Sequence, residues 1–346
     1  MSDKPFDYWE FFLAETSRSN APLYEAFTRG VANDDELKQL AQSVRPGQPP
    51  ANVLYAAVHF LLLRGNDHAL RRFYPNLNGG RTNDDLDGAF RAFRDFVALN
   101  RGELEPLVRS RVTNTNEVGR SAVLHAGFQS LARETDVPLH LIELGPSAGL
   151  NLIWDRYRIE YRWKGETIVS GLVNAQLVIE TELRGDRVPP NGPPPRISSR
   201  LGLERNPVDL SRSDERDWLR ALVWPDHSAR FAQLDRALEI ASKENLPILV
   251  GDALELLPEA LSEPPEGEPV CVYHSFATYQ FSEQQRAAVD DLLIAASLRR
   301  PVWRLAFEGT LSGEAPLILY AYEEGIRHKR LLAQCQPHGA WLEWLA

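Results

Sequence analysis

The spacing of apolar residues changes character at Pro138. Ahead of it, from Phe6 to about Val137, apolar residues recur at three and four positions with few β-branched runs, which is the period of packed helices. Behind it, "PLHLIEL" is a short, mostly apolar segment bounded by Pro138 and Gly145, the pattern of a strand buried on both faces. From there on, strand-like and helix-like segments alternate. A chain of 346 residues with such a switch is expected to form two units, an all-helical N-terminal (cap) domain over 1–112 and an α/β domain over 113–346.

In the first part, Asn33-Asp34-Asp35-Glu36 reads as an N-cap followed by a carboxylate. "NVLYAAVHFLLLRG" reads as a buried helix stopped at Gly65, and "LDGAFRAFRDFVALN" as an amphipathic one. In the second part a helix is expected after Gly149. "RYRIEYRWKGETIVSG" alternates around Lys164-Gly165 as a hairpin does, "AQLVIETELRG" reads as another strand, and "VPPNGPPPRISSR" as a loop that cannot be helix or central strand. These form an insertion around 157–210. "PILVGD", "PVCVYHSF" and "VWRLAFEG" then alternate with helical segments, one of them opened by a capping box from Ser282 to Gln285, which implies a mainly parallel, doubly wound sheet. The closing strands meet across Glu324-Gly325, so an antiparallel C-terminal hairpin is expected.

Composition narrows the function. The net charge is −10 with both signs mixed along the chain, which argues against general nucleic-acid binding, where a basic face displaces counterions. Cys271 and Cys335 stand far apart, so neither a metal site nor a disulfide framework is expected, and the compartment expected is the cytoplasm. The opening "MSDKPFDYWEFF" lacks the pattern of a signal peptide, and the apolar run from Val53 to Leu63, broken by His59, falls short of the ~20 residues of a membrane span. The partner expected is a small molecule.

The segment "LIELGPSAGLNLIWDRY", Leu141 to Tyr157, admits two chemistries. Gly145-Pro146-Ser147-Ala148-Gly149 matches the G-x-S-x-G nucleophile elbow, but the helical sequence upstream offers no oxyanion-hole segment, and the triad histidine would have to be His227, His274, His328 or His338. Alternatively, Glu143 ends a strand, Gly145 makes a tight turn, and Gly149 brings backbone close to a ligand at a helix N-terminus, with Ser147 and Asn151 beside it. His274-Ser275 falls at the carboxyl edge of a later strand, where α/β sheets bind ligands; His274 is the candidate general base and Glu117 the next. Upstream, Asn116, Glu117 and Arg120 are read on a helix capped by Asn114 or Thr115. They either pair in solvent or reach a polar substrate, and Ser275 joins them as a substrate-binding candidate.

The Glu143-to-Gly149 pattern and the closing hairpin resemble class I S-adenosylmethionine-dependent methyltransferases, with Ser147 replacing the middle glycine of their motif. "TNTNEVGR", "ELGPSAGLNLIWDRY", "VWPDHSAR", "GDALELLP", "VYHSF" and "HGAWLEWL", in this order, resemble a bacterial family known as domain of unknown function 2332, whose sheet domain is similar to those enzymes. The resemblance implies a Rossmann-like methyltransferase sheet and S-adenosylmethionine held by Glu143, Gly145, Ser147, Gly149 and Asn151. It places Asp252 at the adenine, where the residue itself also reads as a helix N-cap, and leaves Glu160 or Glu166 for the ribose. The expected activity is methyl transfer to a small polar metabolite. The alternatives are a non-catalytic S-adenosylmethionine- or nucleotide-binding protein of the same fold, and a serine hydrolase using Ser147.

Overall fold

The computed structural model describes residues 7–81, 84–309 and 313–346; residues 1–6, with which the segment read for a targeting signal begins, lie outside them. The chain divides into two compact units, Met1–Thr115 with Ser211–Asp235, and Asn116–Leu210 with Arg236–Ala346.

The first unit opens with helices α1 (Tyr8–Arg18), α2 (Pro22–Val31), α3 (Asp35–Gln42), α4 (Pro50–Leu63), α5 (Leu86–Leu99) and α6 (Arg101–Ser110). Asp34 caps α3, its carboxylate accepting the Leu37 N–H at 3.1 Å. From Ala51 to Leu62 every residue of α4 except Asn52 is buried, as its apolar sequence dictates. The helix stops where Gly65 turns to φ +95° and the N–H groups of Gly65 and Asn66 return to the carbonyls of Leu62 and Leu61. Tyr55 of α4 is ringed by Phe12, Tyr24, Phe27 and Phe93, with ring centroids 4.9–6.1 Å away.

The second unit starts with α7 (Arg120–Leu131), β1 (Leu139–Leu144), β2 (Arg158–Trp163), β3 (Glu166–Gly171), β4 (Val178–Arg184) and β5 (Ile197–Glu204). The chain then forms α8 (Ser213–Ala221) and α9 (Ser228–Ala241), the unit boundary at Asp235 falling inside α9. It continues through β6 (Ile248–Val250), α10 (Ala253–Ser262), β7 (Val270–Ser275), α11 (Glu283–Ser297), β8 (Val302–Phe307), β9 (Ala315–Glu323), β10 (Ile326–Cys335) and β11 (Trp341–Trp344). One mixed, mostly parallel sheet of 11 strands results, in the order β3-β2-β4-β11-β10-β9-β8-β7-β1-β5-β6. The strands from β6 to β8 in this order are all parallel, and β9 and β10 pair antiparallel.

The hairpins form where turn chemistry asks for them. Lys164-Gly165 and Glu324-Gly325 each hold two successive positive φ angles, which suits the right-handed twist of the strands they join. Two expectations fail. No α-helix follows Gly149: residues 147–153 form turns, leading to a short 3₁₀ segment at Trp154–Arg156 and then β2. And the segment expected to be only a loop contains the start of β5, which pairs parallel with β1 and lies between β1 and β6. The prolines end at Pro195, and the strand begins at Ile197.

α7 explains the shape of the sheet. All twelve of its residues are buried. Tyr161 of β2 donates to the Ala122 carbonyl at 2.9 Å, Ser170 of β3 bonds His125 at 2.8 Å, and Tyr273 of β7 meets Phe128 edge-on at 5.2 Å. In strand order β2 and β7 are six intervals apart. Flat, that would be about 29 Å, whereas a helix with its side chains is only ~10–12 Å across. The sheet therefore curls around α7. Its central strands face α10 and α11 on the other side, where Ile142, Leu144, Val270 and Val272 pack with Leu257, Val289 and Leu293.

Candidate functional site

In a parallel sheet the carboxyl ends of neighbouring strands open a crevice where the chain order reverses. Here β1 lies between β5 and β7, so the reversal falls at the ends of β1 and β7. Glu143 and Tyr273 are register partners on these strands, and the Tyr273 hydroxyl donates to Glu143 Oε2 at 3.2 Å. Glu143 is 1 % exposed. Burial pushes its pKa up to about 8; the Tyr273 bond and the charge of Arg120 work against this, and the charge of Glu204 adds to it.

The turn after β1 is closed by the protein itself. Gly145, Ser147 and Gly149 have φ of +69°, +56° and +79°. The Gly145 N–H donates to Leu203 O, Ser147 N–H to Glu204 Oε2, Gly149 N–H to Pro146 O and Leu150 N–H to Asn116 Oδ1, all at 2.8–3.0 Å. A side chain at Gly145 would meet Ala277 at 2.7 Å, and one at Gly149 would meet Leu246 at 2.9 Å. The space freed by the two glycines thus holds the protein's own side chains, and without a helix after Gly149 there is no helix dipole to favour an anion. The left-handed Ser147 has the backbone strain of a nucleophile elbow but lacks its helix, and the residue is 2 % exposed.

Asn116, Glu117 and Arg120 are buried, not frayed into solvent. Asn116 and Glu117 precede α7, which begins at Arg120 behind Gly119 with no side-chain cap from Asn114 or Thr115. Besides Asn116 on Leu150, the Glu117 carbonyl accepts from Asn151 Nδ2 at 3.4 Å and its carboxylate pairs with His338 Nδ1 at 3.1 Å. Arg120 donates to the carbonyls of Ser275 and Pro337 at 3.1 and 3.0 Å, and its guanidinium lies 4.4 Å from the Phe276 ring. Asn151 also receives the Ser121 hydroxyl at 2.6 Å. The sequence-read residues Glu143, Gly145, Ser147, Gly149, Asn151, Asn116, Glu117, Arg120 and Ser275 therefore belong to one connected clasp that joins the β1 turn, the end of β7 and the loop before β11.

Asp252 stands apart from the clasp. It caps α10 through the Leu254 N–H at 2.9 Å and pairs with Arg205. Glu160 and Glu166 lie on the β2–β3 hairpin at the opposite end of the strand order. The acid beside the β1 turn is instead Glu204, which ends β5, is 9 % exposed, and also accepts the Asn206 N–H at 2.9 Å.

His274 is 3 % exposed, and its Nδ1 lies 2.6 Å from Glu308 Oε1. Glu308 also accepts the N–H groups of Ala277, Thr278 and Tyr279 at 2.9–3.1 Å. Burial alone would raise its pKa, but His274 and these backbone donors outweigh that and hold the carboxyl below its ordinary range. His274 Nε2 is buried and has no hydrogen-bond partner among the described residues. Sequence reasoning passed over both Glu204 and Glu308. Glu308 follows "VWRLAF" at the same sheet edge, so the rule that singled out His274 would have found it. Glu204 was hidden with β5.

Among the described residues no cluster of histidine, cysteine, aspartate and glutamate is arranged to hold a metal ion, and no helix is long and apolar enough to cross a membrane. No curated protein matches the chain. The sequence over residues 11–344 matches a family described as an uncharacterized protein conserved in bacteria, domain of unknown function 2332 (DUF2332), and to that bacterial family the chain belongs.

Proposed function

We propose that the chain is an S-adenosylmethionine-dependent methyltransferase acting on a small polar metabolite, with the nucleoside half of the cofactor at the carboxyl ends of β1, β5 and β6. One observation carries this reading: β5 and β7, parallel to both their neighbours, and β8, parallel to β7, end on or next to Glu204, His274 and Glu308, and Asp252 follows the end of β6. The parallel strands β6-β5-β1-β7-β8 stand in the chain order 3-2-1-4-5 of a nucleotide-binding sheet. Antiparallel β9 beside β8 supports the class I methyltransferase variant. Glu204, on the second of these strands, fits the ribose hydroxyls, and Asp252, after the third, fits the adenine amino group. The amino-acid half fits poorly at the turn, because the amides of Gly145, Ser147, Gly149 and Leu150 are already bonded.

When bound, S-adenosylmethionine supplies an electrophilic methyl group. The chain's own contribution is a base. Glu308 fixes His274 through Nδ1 and leaves Nε2 as the nitrogen that takes the acceptor's proton, and the ionised carboxylate stabilises the imidazolium so formed. Glu117, bonded to His338, positions the loop before β11 rather than serving as the base.

Calorimetric titration with S-adenosylmethionine and S-adenosylhomocysteine, with NAD as control, tests the reading. Saturable micromolar binding of either sulfur compound, about −8 kcal/mol, is expected, and Glu204→Gln should weaken it about tenfold. Absence of binding by both compounds would refute it.

A further inference from the structure

We propose that the helical unit holds an internal site for a small molecule carrying a protonated amino group, formed by Tyr24, Tyr74, Asn76 and Asp226 and walled by aromatic rings. The motif "VWPDHSAR", which has no part in the sheet, supplies its acid: Trp224-Pro225-Asp226 lies in the turn between α8 and α9. Among the described residues of this unit, four oxygens are buried without a hydrogen-bond partner: the hydroxyls of Tyr24 and Tyr74, Asn76 Oδ1 and Asp226 Oδ2. Tyr24 and Tyr74 are 1 % and 0 % exposed. A buried polar atom left unpaired costs about 1–3 kcal/mol, so four in one neighbourhood call for an occupant.

They share a neighbourhood. Tyr24 and Tyr74 both pack against Phe27, at 6.0 and 6.2 Å between ring centroids, and Tyr24 lies 5.7 Å from Trp224, two residues before Asp226. The Tyr74 ring lies 5.1 Å from that of His59, and Asn76 Nδ2 lies 2.9 Å from His59 Nε2.

The orientation of Asn76 follows from its partner. Burial lowers the His59 pKa to about 4, so the ring is neutral near pH 7. Its Nδ1 faces the Ala221 carbonyl at 3.1 Å and must carry the proton, so Nε2 accepts and Asn76 must present its NH₂ there. Asn76 Oδ1 is then turned away from His59 as a bare acceptor.

A carboxylate oxygen and an amide oxygen can only accept, and two phenols can do so as well. The complementary ligand supplies N–H donors and positive charge. The Tyr24 ring, 4.9 Å from Tyr55 and 5.7 Å from Trp224, adds aromatic faces that attract a cation. Asp226 accepts the backbone N–H of Leu23 but has no cationic partner among the described residues, so water could satisfy the oxygens but would leave the carboxylate without a counter-charge.

The test uses the full chain and ethylammonium chloride, against sodium chloride at equal ionic strength and against ethanol. Ethylammonium should raise the Tm in a saturable way while sodium and ethanol do not, and Asp226→Asn should weaken the effect at least about tenfold. Tyr74→Phe, which removes an unpartnered hydroxyl and should fold normally, should also weaken it, which keeps the test valid if Asp226→Asn misfolds. No Tm rise with ethylammonium, an equal rise with ethanol, or an undiminished rise in Tyr74→Phe would overturn the proposal. So would a crystal structure grown with ethylammonium in which ordered water alone bridges the four oxygens.

Discussion

Two regions of the molecule treat buried polar groups in opposite ways. Around the β1 turn, Glu143, Asn151, Asn116 and Arg120 are interlinked through Tyr273, Ser121, Leu150 and Ser275, each with a named partner. In the helical unit, Tyr24, Tyr74, Asn76 and Asp226 leave oxygens bare. A bonded buried network specifies one geometry, whereas unpaired groups hold recognition capacity in reserve. By that criterion much of the cluster that looks most functional in the sequence is architecture. Among the described residues, the buried atoms left without a partner include His274 Nε2 and these four oxygens of the helical unit.

Mutations can break or sharpen this contrast. The largest effect is expected at the turn. Gly149→Val imposes a β-branched residue at φ +79° against Leu246 and should cost about 4 kcal/mol or more, or prevent folding. Arg120→Ala strips the carbonyls of Ser275 and Pro337 of their donor and should cost about 3 kcal/mol in denaturant unfolding. If either variant keeps full stability, the clasp is not what holds the turn.

Glu143→Gln should act through pH. The folded-state pKa, about 8, lies above the ordinary value of 4.5, so the stability linked to protonated Glu143 is present in full below about 4.5 and is lost as pH rises through about 8. Glutamine does not titrate, so the variant should lose that slope and gain on the order of 1–3 kcal/mol relative to wild type above about pH 8. Unfolding curves at about pH 5 and about pH 9 check the sign, and an unchanged slope would place the titration elsewhere.

Ser121→Ala removes a buried donor from Asn151 and should cost about 1–2 kcal/mol. The smallest effect is expected from Tyr74→Phe without ligand, about zero or slightly stabilising, because the hydroxyl has no partner to lose. Should Tyr74→Phe cost as much as Ser121→Ala under the same conditions, the difference between the two regions disappears.

Much of the fold is legible where local chemistry decides it. Gly65, Ser282 with Gln285, and the two hairpin turns act as read, and the cap read in Asn33-Asp34-Asp35-Glu36 falls one residue on, at Asp34, because caps and left-handed turns depend on a few adjacent residues. What escapes the sequence is set by distant partners. β5 exists because β1 and β6 supply its hydrogen bonds, although "ISSRLGLE" follows a proline run and shows little alternation. The helix expected after Gly149 loses to tertiary contacts: Trp154 stacks on Phe128 at 4.4 Å, and Tyr157 bonds the Leu150 carbonyl at 2.8 Å. In the candidate site the individual residues were visible, but their pairing was not. Nothing in a linear reading says that Glu117 meets His338 or that Glu308 meets His274.

The strand order carries a consequence for how the chain reaches its native state. β4 and β10 do not pair directly; they are joined only through β11, a four-residue strand whose Trp341 aligns with Glu182 of β4. Until Trp341–Trp344 is in place, β3-β2-β4 and the remaining strands are separate sheets, each with an open edge. Closing the gap brings together segments far apart in sequence, so its entropic cost falls late in folding. A chain still in synthesis carries two unprotected edges facing the same missing strand, and its exposure to misassembly lasts until Trp344 has emerged.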